Sequence, residues 1–221
     1  MQKPLLVIGN QNYSSWSLRP WVFLKAFGVD FDCDVVPMLT EDFDVLVKQR
    51  SPTGKVPFLL DDGLVVNDSL AICGHAIERW IGADRAWPES LAARALARSA
   101  VAEMHSGFTA LRNQCPMNVR RRSRNYRLSG DTQKDVERIL AIWNQARSDF
   151  GGGGPYLFGA FSVADAFFAP VVFRFQTYAV GLDGNGAKYC EAMLAHPAMR
   201  AWADAAEREP WALERYEFVQ G

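Results

Sequence analysis

Strand-like and helix-like apolar patterns alternate along residues 1–82 of this chain, and past Trp87-Pro88 only helical ones remain. Leu5-Leu6-Val7-Ile8 is a short continuous apolar run, as expected of a strand covered on both faces. A helix follows from about Ser17 to Phe27, with Gly28 placed to end it. Phe31–Val36 predicts a second strand, Glu41–Arg50 a polar exposed helix, and Val56–Leu60 a third strand. Asp61-Asp62-Gly63 reads as a hairpin turn into a fourth strand, Leu64–Val66. Leu70, Cys73, Ile77 and Trp80 then recur at helical spacing, which predicts a helix from Ser69 to about Ile81.

The order β-α-β-α-β-β-α is the α/β thioredoxin-like arrangement, a parallel pair followed by a terminal hairpin. Residues 83–88 read as a linker, and residues 89–221 as an all-helical unit. There, Ala97, Val101, Met104, Phe108 and Leu111 mark one face of a single long helix. Val136, Ile139, Leu140 and Trp143 mark another, which stops at the glycines 151–154. Ser162-Val163-Ala164-Asp165 is a capping box with Asp in the Glu/Gln place, opening an apolar helix to about Val180. His196-Pro197 starts the last regular helix.

The formal net charge of −1 offers no global attraction to nucleic acid or an anionic membrane. The run Arg120-Arg121-Arg122-Ser123-Arg124 reads as a solvated helix end or loop. No apolar run is long enough to span a membrane, and the five apolar residues after Lys3 are too few for a signal-peptide core. The cysteines Cys33, Cys73, Cys115 and Cys190 are scattered, without metal-type spacing toward His75, His105 or His196. Free thiols, no metal and a cytoplasmic location are therefore expected.

Three short motifs carry chemistry. Ser14-Ser15-Trp16-Ser17 lies where the first strand turns into the first helix, so its hydroxyls stand beside unpaired N–H groups and the positive end of a helix dipole. Such a place favours an anion. Pro20 is tolerated in a first helical turn and damaging further in, which points to Ser15, Trp16 or Ser17 as the N-cap. Val56-Pro57 opens the third strand, where a cis bond would turn backbone groups toward a peptide-like ligand; an ordinary strand-opening proline reads equally well. Asp68-Ser69 opens the third helix, either as a plain N-cap or as a site for an amino-acid head group, the serine taking a carboxylate and the aspartate an ammonium. All three fall on one edge of a thioredoxin-like sheet.

With these residues in view, the chain resembles a cytosolic glutathione S-transferase over essentially its whole length. The resemblance rests on Ser14-Ser15-Trp16-Ser17-Leu18-Arg19, on residues 51–57 (Ser-Pro-Thr-Gly-Lys-Val-Pro), on Asp68-Ser69-Leu70-Ala71-Ile72, on Ser162-Val163-Ala164-Asp165 and on residues 196–202 (His-Pro-Ala-Met-Arg-Ala-Trp). Its serine segment is most similar to the zeta class, which has Cys where this chain has Trp16. The resemblance implies glutathione as co-substrate and Ser14 as the residue that hydrogen-bonds its sulfur, with Ser15 as alternate. It implies that Val56, held by cis-Pro57, pairs with the cysteinyl backbone, that Asp68 and Ser69 bind the γ-glutamyl group, and that Lys55 lies nearby. It also implies a homodimer.

The electrophile pocket is expected between the serine turn and the long helix, at Trp16, Met104, His105, Phe108 and Arg112. Arg112 is either a site for a carboxylate-bearing acceptor or a solvated side chain. The expected activity is attack of the glutathione thiolate on a small electrophile. The alternatives are a glutathione-dependent isomerase or peroxidase of zeta-like type, or a non-catalytic binding protein on the same fold.

Overall fold

The computed structural model describes residues 2–217, so residue 1 and residues 218–221 of the two expected units lie outside the described residues. β1 (Leu5–Ile8), β2 (Asp32–Val35), β3 (Phe58–Asp61) and β4 (Leu64–Asn67) form one four-stranded sheet in the order β2-β1-β3-β4. β1 runs parallel to β2 and antiparallel to β3, with Leu6 opposite both Cys33 and Leu59, and β3 and β4 form the hairpin. β3 begins at Phe58, two residues later than the apolar run suggests, because Pro57 has no N–H to give a ladder. Along β1, alternation sends Leu6 and Ile8 into the main core and Val7 to the opposite face. There Val7 meets Val36, Phe58 and Val47, the last from α2 (Glu41–Arg50).

On the main face lie α1 (Ser15–Ala26) and α3 (Ser69–Ala76), the latter continuing into a π-helical turn, Ile77–Ile81. Pro20 stands beyond the first turn of α1, contrary to the sequence reading. An interior proline costs about 3 kcal/mol. Burying Leu18, Trp21, Val22 and Phe23 returns about 1.5–3 kcal/mol each, so packing outweighs the lost bond.

The segment after the sheet unit holds a short helix, α4 (Ala83–Ala86). The single long helix expected next is two: α5 (Leu91–Ser106) and α6 (Thr109–Gln114). The break falls at Gly107 and at Phe108, whose φ is 59°. Arg112 folds back on it, donating to the carbonyls of Gly107 (2.8 Å) and Met104, as suits a cation at a helix C-terminus. α7 (Gly130–Phe150) and α8 (Val163–Thr177) follow. α8 opens on Asp165, whose buried carboxylate accepts from the N–H (2.8 Å) and Oγ (2.9 Å) of Ser162 and from the N–H of Leu157 (3.1 Å). α9 (Gly184–Ala195), α10 (Pro197–Arg208) and the short α11 (Glu214–Glu217) complete the chain, α9 and α11 not having been foreseen. α1 is the shared element, packed on α3 on one side and on α8 and α10 on the other.

Candidate active site

β1 ends at Ile8, and the following turn delivers the chain to α1 with Ser14 as its N-cap, one residue before the earliest cap foreseen. Ser14 Oγ accepts from the Ser17 N–H at 3.4 Å and donates to Ser17 Oγ at 2.7 Å, which in turn accepts from the N–H of Gly9 at 3.1 Å. Ser15 Oγ accepts from Arg174 Nη2 at 3.2 Å, and its proton has no acceptor among the described residues. Both hydroxyls are nearly buried.

Two clefts meet at this turn. The larger, about 580 Å³, is lined by Trp16, Lys55, Val56, Pro57, Asp68 and Ser69, together with Thr53 and Asn67. The Val56-Pro57 bond is cis. Asp68 caps α3, its Oδ1 accepting from Leu70 N–H (2.7 Å) and Ala71 N–H (3.4 Å). Ser69 Oγ is buried beside it without a partner, an arrangement that suits an incoming acceptor oxygen. The smaller cleft, about 220 Å³, is lined by Ser14, Ser15, Trp16, Arg112, Arg174 and Tyr216 among others. Trp16 and Val56 border both.

The structure brings Trp16, His105 and Arg112 together, but of these only Trp16 and Arg112 line a cleft; His105 lies outside both linings, as do Met104 and Phe108, which sit in the core at 0% and 6% exposed. Arg19 lies 4.3 Å and Arg112 4.9 Å from the centre of the Trp16 ring, and the His105 ring stands nearly perpendicular to it, centroids 5.4 Å apart. Arg19 and Arg112 both donate to the carbonyl of Met104. Burial lowers the Arg174 guanidinium to about 10, with the Arg112 charge adding to the effect. Burial likewise depresses Arg19, again reinforced by Arg112, and lowers Arg112 itself. Each of the three keeps a buried guanidinium nitrogen without a partner. Two of them, Arg112 and Arg174, line the smaller cleft, and positive charge there favours an anion.

The C-terminal segment closes the smaller cleft. Glu209 accepts from the N–H groups of Gln11 (2.5 Å) and Asn12 (3.0 Å). Tyr13 OH accepts from Leu213 N–H and Arg120 Nη2, both at 3.1 Å, and donates to Glu217, while its ring stacks on Tyr216 at 5.4 Å. Arg120 also reaches the carbonyls of Glu209 (2.9 Å) and Trp211 (2.8 Å), and Arg121 that of Glu217 (2.6 Å). Arg120 and Arg121 are therefore a tether for this segment, while Arg122 and Arg124 are exposed on a loop, as the solvated reading has them. Sequence reasoning also missed Arg174 and Tyr216. A lone cation inside the Phe/Val/Ala run of α8 was a usable signal for the first, and nothing local marks the second.

Among the described residues, no group of His, Cys, Asp or Glu is placed to hold a metal ion, and no helix is long and apolar enough to cross a membrane. Cys33, Cys73, Cys115 and Cys190 are unpaired thiols. A further hollow of about 600 Å³, lined by Leu182, Glu191 and Arg200 among others, gathers no comparable groups.

Comparison with known proteins identifies the family. Family models described as "Glutathione S-transferase, N-terminal domain" and "Glutathione S-transferase, C-terminal domain" match residues 13–79 and 92–205. A probable maleylacetoacetate isomerase from Caenorhabditis elegans is 35% identical over 77 residues, a match spanning 35% of this chain and only 35% of that protein. A glutathione transferase homolog from Burkholderia gl BGR1, solved with bound glutathione, superposes with a TM-score of 0.70 at 22% identity, covering 95% of this chain and 100% of that one. An unclassified glutathione S-transferase from Bombyx mori gives 0.71 at 17% identity, covering 93% and 94%. From the serine turn of α1 to the capping box of α8, this chain belongs to the glutathione S-transferase family.

Proposed function

We propose that the protein is a serine-type, zeta-like glutathione transferase that holds glutathione in the larger cleft and directs its thiolate into the smaller one, against a small electrophile bearing a carboxylate. One observation carries the reading: Ser14 and Ser15, the cis Val56-Pro57 bond and the Asp68-Ser69 pair border adjoining clefts on one sheet edge. In this reading Val56 pairs with the cysteinyl backbone, Ser69 Oγ donates to the γ-glutamyl carboxylate, Asp68 receives the ammonium, and Lys55 lies at the rim.

A free thiol has a pKa of about 8.5. Lowering it by about two units requires about 2.7 kcal/mol in favour of the anion. A hydrogen bond to the charged sulfur supplies about 1.5–3 kcal/mol, and the N-terminus of α1 about 0.3–1 kcal/mol more. Ser14 provides that bond by turning its proton from Ser17 Oγ to the sulfur, a neutral bond exchanged for a charge-assisted one. Ser15 is the alternate donor, its oxygen already held by Arg174. Neither serine acts as a nucleophile: the thiol proton leaves to solvent, and the thiolate sulfur forms the bond to carbon as the acceptor's leaving group departs with the electron pair of its broken bond.

The unpartnered nitrogens of Arg112 and Arg174 support a carboxylate on the acceptor. Ser14→Ala should lower kcat/KM about ten-fold or more with little change in glutathione binding. If Ser15→Ala does this instead, the donor is Ser15. If neither does, the mechanism is abandoned.

A second reading is favoured by the Caenorhabditis elegans relative's name: a glutathione-dependent isomerase, in which sulfur adds to a cis-enoic diketo acid, the carbon–carbon bond rotates, and glutathione is expelled unchanged. Trp16, in the place of the zeta-class Cys, narrows the cleft where such a substrate would turn. Turnover of a cis-enoic diketo acid, set beside an organic hydroperoxide and an aryl halide, decides among isomerase, peroxidase and conjugating activity. Failure to stay on immobilised glutathione would point to the non-catalytic alternative. The homodimer is part of the proposal, covering the exposed Leu64 and Val65 of β4 and Leu91 of α5; sedimentation of the wild-type chain as a monomer would remove it.

A further inference from the structure

Asp68 is where the larger cleft meets the helical unit. Its Oδ1 is committed to the N–H groups of Leu70 and Ala71, while its Oδ2 stands 3.4 Å from His105 Nε2, a residue in the last turn of α5. The carboxylate is 47% exposed. Its backbone, at φ 77° and ψ 139°, lies in a region that side-chain-bearing residues rarely occupy, so the surroundings must hold it there. His105 is itself fixed. Its ring stands nearly perpendicular to that of Trp16, centroids 5.4 Å apart, and lies 6.0 Å from Phe167, and its Nδ1 is buried without a partner. Burial lowers its pKa, and Asp68 works in the opposite direction. With Nδ1 unpartnered and Nε2 facing a carboxylate, the neutral ring carries its proton on Nε2.

We propose that His105 is a positioning residue of the glutathione site, its Nε2–H holding the Asp68 carboxylate turned toward the γ-glutamyl ammonium while Trp16 and Phe167 brace the ring. The inference rests on the reading of the larger cleft as the glutathione site. A carboxylate oxygen has two lone pairs, so Oδ2 can accept from the imidazole and the ammonium together. The 3.4 Å approach is longer than a good hydrogen bond, and the proposal requires that it shorten when glutathione binds. The recognition of one ligand group thus depends on a side chain from the other structural unit.

Calorimetry on the full chain tests this with two ligands, glutathione and its analogue lacking the γ-glutamyl ammonium. His105→Ala should weaken glutathione about five-fold, the size of one hydrogen bond, and leave the deaminated analogue within about two-fold. His105→Gln, which returns an N–H near the Nε2 position, should restore glutathione to within about two-fold. His105→Phe, which keeps the ring packing without the donor, should behave like the alanine variant and serves if that variant does not fold. Equal weakening of both ligands, or of neither, overturns the proposal, provided Asp68→Asn weakens glutathione alone. If Asp68→Asn also leaves the preference for glutathione intact, the larger-cleft reading falls, and the role of His105 falls with it.

Discussion

Arg174 on α8 donates to the hydroxyl of Ser15 on α1 at 3.2 Å, so a buried cation of the helical unit holds one of the serines of the turn. In the proposed reading, a thiolate bound there would feel both the hydroxyl and the guanidinium behind it. Arg174→Met should raise the ionisation pH of bound glutathione by about one unit, read from thiolate absorbance against pH. It should also weaken acidic electrophiles more than neutral ones. If both electrophile types suffer equally and the ionisation does not move, Arg174 is a packing residue only.

Glu209 answers two buried backbone donors at once, those of Gln11 and Asn12. Leaving a buried donor unsatisfied costs about 1–3 kcal/mol. Glu209→Ala should therefore destabilise the protein by about 2–5 kcal/mol in chemical denaturation, and Glu209→Gln, which keeps one acceptor, by roughly half of that. A loss below about 0.5 kcal/mol for the alanine variant would mean that water replaces the carboxylate without cost.

Arg19 is fully buried, donates one bond to the carbonyl of Met104 at 3.3 Å, and has no carboxylate at ion-pair distance among the described residues. A buried charge without a counter-ion is often replaced by an apolar side chain at no loss. Met104 keeps the bond from Arg112 in any case. Arg19→Met should leave stability unchanged or raise it, while acceptor selectivity changes as Trp16 loses the cation beneath it. Destabilisation beyond about 2 kcal/mol in urea melts would show that the charge supports the fold.

Burial pushes the thiols of Cys115 and Cys190 up to about 12 and that of Cys73 higher still. A raised thiol pKa means that the group stays protonated, hence unreactive, well above neutral pH. Iodoacetamide near neutrality should leave these three unlabelled by mass spectrometry and the transferase rate unchanged. Labelling of Cys115 with loss of activity would place a protein thiol at the site.

Much of the N-terminal unit was legible because its residue types are set locally. A continuous apolar run at Leu5–Ile8, a hairpin turn at Asp62-Gly63 and a capping aspartate at Asp68 each answer a need of their own few residues. The break between α5 and α6 escaped because Phe108 and Leu111 keep the spacing of an unbroken helix and are both buried, so periodicity does not register the turn at Gly107. α9 escaped because its Gly184-Asn185-Gly186 start reads as a loop, while Leu140 of α7 packs over Gly186. Arg174, Glu209 and Tyr216 have partners far away in the chain, and no short pattern encodes that. Pro20 misled because its local cost is real, yet tertiary burial exceeds it.

The clasp between Tyr13 and the C-terminal segment also has a temporal meaning. On the ribosome, the sheet and α1 emerge first, and their core can close early. The buried N–H groups of Gln11 and Asn12 find their carboxylate only when residue 209 has been synthesised, and the Tyr13 hydroxyl meets Leu213 and Glu217 later still. The turn before α1 thus sets only after residues 209–217 have been synthesised, and until then a nascent chain carries Ser14 and Ser15 without these contacts beside them.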